Sequence, residues 1–186
     1  MSDLTDSLKN ALSSLVSGTG DVVATTRDVT KENVVGLFEA GGDVASSSIS
    51  NMASVVDEGV KAISGSGVSL EGGIVGLVEG AIEGVKQVGG NVGQTALEAA
   101  KGTVRGANEV GSDVGQAAVS AVQGAIGAAG DIGEDSGSLA KEATVGAIEA
   151  ADEIGTEVGS LVRKALLSAV ALPHDVIEAA ISGKTD

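Results

Sequence analysis

Between Lys86 and Pro173 the chain repeats itself every 22 residues, and no other feature restricts its fold as strongly. The copies are Lys86–Ala107 (KQVGGNVGQTALEAAKGTVRGA), Asn108–Ala129 (NEVGSDVGQAAVSAVQGAIGAA), Gly130–Ala151 (GDIGEDSGSLAKEATVGAIEAA) and Asp152–Pro173 (DEIGTEVGSLVRKALLSAVALP). Ser64–Val85 follows the plan more loosely, Gly20–Gly41 lines up with Gly130–Ala151, and Gly42–Ile63 is the most degenerate, so seven copies fill 20–173. Such a period marks a repeat architecture, in which a unit buries its apolar face only against its neighbours. Two short pieces stand outside the array. Residues 1–19 hold Leu4, Leu8, Leu12 and Leu15 at helical spacing, ending at Ser17-Gly18-Thr19-Gly20, and 174–186 read as a short helix and tail after Pro173.

Twenty-two is twice eleven, and eleven residues make three helical turns. On that wheel one broad, shallow face is apolar and the opposite one is acidic. The spacing predicts an all-α fold of long Gly/Ala/Val-rich amphipathic helices, packed as hairpins, a bundle or an extended polymer. A straight or slightly right-handed supercoil and close interaxial spacing go with it. A Gly-rich β-solenoid is the competing architecture, but polar-polar-Val-Gly has period four rather than two, and the Ala-rich second half of each copy favours helix.

Glycine is the difficulty for a helix. Lys86 to Gly159 holds fifteen of them, which at about 0.8–1 kcal/mol each relative to Ala penalises the helices by roughly 12–15 kcal/mol. Their spacing suggests the compensation: Gly76/Gly80/Gly84, Gly89/Gly93, Gly102/Gly106, Gly111/Gly115, Gly133/Gly137 and Gly155/Gly159 are four apart. Glycines so placed strip side chains from one side of a helix, as in a glycine zipper, and admit a second backbone. The candidate self-association face is therefore Val88, Val92, Val110, Gly111, Val114, Gly115, Val122, Ile126, Ile132, Ile148, Ile154 and Val158. Helix breaks are expected at Gly41-Gly42, at Ser64-Gly65-Ser66-Gly67, near Gly130–Gly137 and at Pro173.

Composition excludes several functions. Apolar residues are mostly Ala and Val, with Phe38 the one aromatic, which suits helices pressed together rather than a jigsaw core of large side chains. A formal charge of -15 repels nucleic-acid phosphates and anionic lipid. With no cysteine, thiolate chemistry and disulfides are out. No signal peptide or spanning segment is read, which makes the cytoplasm the default compartment, and export without a cleaved signal would leave no trace.

Catalytic constellations are not found either. His174, the one imidazole, follows Pro173 at a helix start and reads as an exposed turn residue. Glu134-Asp135, Asp152-Glu153 and Asp57-Glu58 lack the alternating ligands and closing Glu of a calcium loop. Gly124–Gly133 (GAIGAAGDIG) has no preceding strand to make it a dinucleotide loop. Thr95, Thr103, Thr144 and Thr156 occupy different repeat positions, so no ice-binding row forms. The expectation is a protein that is not an enzyme and uses no metal or cofactor.

The stretch Glu79–Gly111, EGAIEGVKQVGGNVGQTALEAAKGTVRGANEVG, resembles the eleven-residue amphipathic repeats of synucleins and, more loosely, those of perilipin-type, late-embryogenesis-abundant and phasin proteins. The resemblance covers 20–173 in pattern only, and implies a chain that becomes helical against a lipid, a droplet or another helix. This chain departs from synucleins in having acidic or neutral residues where they carry lysines. Two functions follow as expectations: a non-catalytic structural protein that self-associates through its small-residue faces into an oligomer or filament, or a coat on a neutral lipid, droplet or polyester-granule surface.

Overall fold

The computed structural model describes residues 2–16, 21–41 and 49–183. The helices are α1 (Ser2–Val16), α2 (Val22–Gly41), α3 (Met52–Ser64), α4 (Leu70–Gln87), α5 (Val92–Glu109), α6 (Val114–Ile132), α7 (Ser136–Ile154), α8 (Thr156–Ser168) and α9 (His174–Ser182). Among the described residues there is no strand. The breaks expected after Ser64, near Gly133 and at Pro173 fall between these helices. The one at Ser17–Gly20, the Gly42 side of Gly41-Gly42, the start of the Gly42–Ile63 copy and the tail beyond Gly183 lie outside the described residues.

The period of 22 is one helix plus its turn, not six unbroken helical turns. Three successive helices end the same way. Gly90 N–H donates to Val85 C=O at 2.9 Å, Ser112 to Ala107 at 2.9 Å and Glu134 to Ala129 at 2.9 Å. Each is the six-to-one bond of a Schellman motif, and it requires a left-handed residue just past the helix. Gly89, Gly111 and Gly133 supply it, with φ of 75°, 69° and 70°. The next helix then starts from a side-chain cap: Ser69 accepts from Gly72 N–H (3.2 Å), Asn91 from Gln94 (3.0 Å), Asp113 from Gln116 (3.0 Å) and Asp135 from Ser138 (2.6 Å). The stop and the start together consume three or four residues of the repeat. No supercoil can therefore run along the array, contrary to the expectation from the eleven-residue half-period.

Asp21 caps α2 in the same way, accepting from Val23 N–H at 2.9 Å. It thus corresponds to Asp135, not to Asp131 as the alignment of Gly20–Gly41 with Gly130–Ala151 had it. That alignment is out of register by one helical turn.

Because each turn is short, successive helices reverse direction. They stack as two rows, α2, α4, α6 and α8 in one and α1, α3, α5, α7 and α9 in the other, and within the array the most extensive packing is between helices two apart. The core runs continuously between the rows. Large side chains fill it near the start (Leu8, Leu12, Met52, Ile63, Ile74, Leu77), but through α5, α6 and α7 it is built from alanines such as Ala96, Ala100, Ala118, Ala125, Ala143 and Ala147, all fully buried. Small residues make a solid core here because the backbones come close enough to fill the space themselves.

The caps carry the turns, so Asp113→Ala is expected to destabilise the fold by about 1 kcal/mol, read as a lowered urea midpoint in circular dichroism. Asp113→Asn, which keeps the acceptor, should restore most of it.

Candidate self-association surface

The helical glycines work within the chain. A Cβ on Gly102 would land on the Ala53 carbonyl oxygen, one on Gly146 on the Leu97 carbonyl, and one on Gly124 would lie 2.7 Å from the Val75 carbonyl. Gly80 meets the Arg27 carbonyl and Gly76 the Val23 carbonyl in the same way. Gly80, Gly102, Gly124 and Gly146 are 22 apart, and each receives the backbone of the helix two places earlier. One turn further, Gly84 receives Val34 and Gly106 receives Val60, in each case with the hypothetical Cβ 2.9 Å from the valine Cβ. The zipper is real for Gly76/Gly80/Gly84 and Gly102/Gly106.

The remaining glycine pairs are divided between elements. Gly111 is exposed in a turn and a Cβ there would meet nothing within 4 Å, while Gly115 is buried in the next helix against Leu161 and Ala165. Gly89/Gly93, Gly133/Gly137 and Gly155/Gly159 divide likewise, with the first member in the connection and the second in the following helix. No strip on one helix joins them.

The predicted apolar face is not free. Val122 and Ile148 are buried in the core. Val92, Val114, Ile126, Ile132, Ile154 and Val158 pack partly buried against it. Val88 and Val110 are half-buried at helix ends. Residues read as a docking surface for another chain are consumed in docking each helix on its own neighbours.

Charge sets the register of the rows, a signal that sequence reasoning missed. Lys61 pairs with Glu109 (2.6 Å), Lys101 with Glu149 (2.7 Å), Arg105 with Glu153 (2.6 Å), and Lys86 with Glu134. Each acid stands 48 residues after its base, one helical turn beyond two repeats. Lys31 and Glu83, at 2.9 Å, are the corresponding pair of α2 and α4, separated by 52 because α4 starts 48 residues after α2, four more than two repeats. These partly exposed pairs contribute at most about 1 kcal/mol each, but a slip of one turn would break all of them. The hydrogen bond to Glu149 raises the Lys101 pKa, and the one from Arg105 lowers that of Glu153.

Glu79 takes the position that Lys101 holds on α5, and its carboxylate sits in the notch left by Gly127, with a side chain only 9% exposed. Burial pushes its pKa up to about 7; Asp131, Glu83 and Asp21 add to the rise and Arg27 opposes it. Arg27 lies between α4 and α6, 3.8 Å from Glu83 and 3.6 Å from Asp131.

The two ends of the rows differ. At the start, Glu32 and Glu58 occupy the positions of Gly80 and Gly102, and α1 covers α3 and part of α2 with Leu4, Leu8 and Leu12 buried and Asp6, Lys9, Asn10 and Ser13 outward. At the finish α9 covers α7, burying Ile177, while among the described residues no helix packs on the far side of α8. Val60, Ile82, Val104, Ile126, Ile148 and Val170 form one series at intervals of 22. The first five lie within helices and are buried or half-buried, whereas Val170 falls in the turn after α8 and is 92% exposed. Leu161 and Leu167 lie exposed on α8 itself. His174 is exposed at the start of α9.

No family model matches the chain, and no curated protein matches it. Among solved structures, a de novo designed helical repeat protein is similar in fold, with a TM-score of 0.50 at 18% identity over 98% of this chain and 96% of that one.

Proposed function

We propose that this is a non-catalytic structural protein that self-associates, its work being to extend a stack of helices beyond one chain. The observation that carries the reading is Leu167, exposed on α8 at the place where Lys31 on α2 and Lys101 on α5 meet an acid of the helix two places on. Repeats that each present the same face add copies as readily between chains as within one. Coating a lipid surface fits the geometry less well, since Val122, Ile148 and the alanines that would face lipid are already inside, and no helix is long and apolar enough to cross a membrane among the described residues.

Sedimentation velocity and light scattering over a dilution series test this. The expected result is mass that grows with concentration while the circular dichroism spectrum stays helical and is unchanged by neutral phospholipid vesicles. A monomer at every concentration overturns the reading, and one that binds the vesicles replaces it with a surface coat.

A further inference from the structure

We propose that the free side of α2, a surface apart from the exposed leucines of α8, seats a basic amphipathic helix from another protein. From α4 onward each helix receives the one two places earlier on a fixed set of positions, and on α2 that set is uncovered. Gly36 holds on α2 the position of Gly84 on α4 and Gly106 on α5, which receive Val34 and Val60. Among the described residues, a Cβ on Gly36 meets nothing within 4 Å. Open grooves of about 400 and about 390 Å³ flank it. One is walled by Leu4, Leu37 and Val55, the other by Val35 and Gln87, and Glu32 and Gly36 line both.

Charge names the occupant. Glu39 stands on α2 in the receiving position of Glu109 and Glu153, which pair with Lys61 and Arg105 of the helices two places earlier, each at 2.6 Å. At Asp131, another acid in that position, Arg27 lies 3.6 Å away. Where the arriving residue is apolar, as Val35 is toward α4, the receiving residue is the uncharged Gln87. An acid in this position thus goes with a base arriving on it, and Glu39 is exposed with no ion pair among the described residues. Glu32 and Glu58 extend the acidic side of the seat. They replace Gly80 and Gly102, where backbones touch, so the arriving backbone stands further off and a long basic side chain fills the gap. The helix that matches carries an aliphatic residue followed by a base, as in Val60-Lys61 and Val104-Arg105, and a further base two turns earlier, at the spacing of Arg27 from Val34. The chain's own α8 does not supply this motif, because it ends at Ser168, before the equivalent pair Val170-Ala171, whose second member is uncharged.

The probe is a labelled synthetic Ala-based helix with a Val-Lys pair and an earlier lysine at that spacing, followed by fluorescence anisotropy. Beside it runs an isomer of the same composition with its lysines moved to the opposite face. The full-length chain is expected to bind the first at least about tenfold more tightly than the second, and Glu39→Lys and Gly36→Leu should each lose at least about tenfold. Glu178→Lys on α9, the same change of charge far from the seat, should bind as the wild type does. All three positions are exposed, so circular dichroism should show unchanged helix. An equal loss in Glu178→Lys, or equal binding of the isomer, would reduce the contact to net charge and overturn the proposal. Full binding by Gly36→Leu would overturn it too. A second copy in the seat would show as self-association abolished by Glu39→Lys and Gly36→Leu with no binding of the peptide, and that result would also sink it.

Discussion

Gly102→Ala is expected to lower stability by at least about 2 kcal/mol, although Ala is the better helix former by about 1 kcal/mol. The added methyl would land on the Ala53 carbonyl oxygen, with the Ala53 carbonyl carbon and Cα at 2.9 and 3.0 Å. All three atoms are backbone, so no rotamer change relieves the clash and α3 and α5 must separate. Gly130→Ala is the control. Gly130 lies in α6, exposed, with nothing within 4 Å of a Cβ, so the same substitution should stabilise by up to about 1 kcal/mol. Urea denaturation should move the two midpoints in opposite directions. A rise for both would mean that the glycines dilute the helices without bringing them together.

Glu79→Gln should stabilise the protein at pH 8 and do little at pH 5. The folded-state pKa near 7 lies above the ordinary glutamate value of 4.5, so the folded state holds a proton that the unfolded chain releases earlier. Stability is therefore highest below about pH 4.5 as far as this group is concerned, and falls as pH rises through the interval to 7. The full cost of the buried carboxylate above pH 8 is about 3 kcal/mol. In a chain of this size that corresponds to roughly 6–12 °C in Tm. Because the two proteins differ only at residue 79, the difference between their slopes over pH 5 to 8 belongs to Glu79. The measurement is Tm against pH for both proteins. Parallel curves would show that the Glu79 carboxylate reaches solvent.

The helical class and the period were legible because Ala-rich segments at a fixed interval have few other solutions. The meaning of the period was not. A Val-Gly-x-Asn or Val-Gly-x-Asp run fits a helical wheel as smoothly as it fits a stop and a start, and only the caps Asn91, Asp113 and Asp135, each with its acceptor aimed three residues on, separate the two. Reading the run as helix joined Gly111 to Gly115 on one strip, when a turn lies between them. The apolar residues were legible, but whether a partner lies inside or outside the chain is decided by helices two repeats apart. A wheel drawn for one helix carries no information about that distance. The pairing of Lys101 with Glu149 and Arg105 with Glu153 at a common interval was in the sequence, though its significance depends on knowing where each helix stops.

Gly80, Gly102, Gly124 and Gly146 perform the same task although they belong alternately to the two rows. Each helix is thus placed on the last by one repeated operation, and the unit of growth is a single helix, not a hairpin. Duplicating or deleting one 22-residue block would move every later helix into the opposite row and still leave it with an equivalent neighbour. Array length can then change by odd as well as even numbers of helices, and parity alone decides whether the two termini emerge at the same edge or at opposite edges.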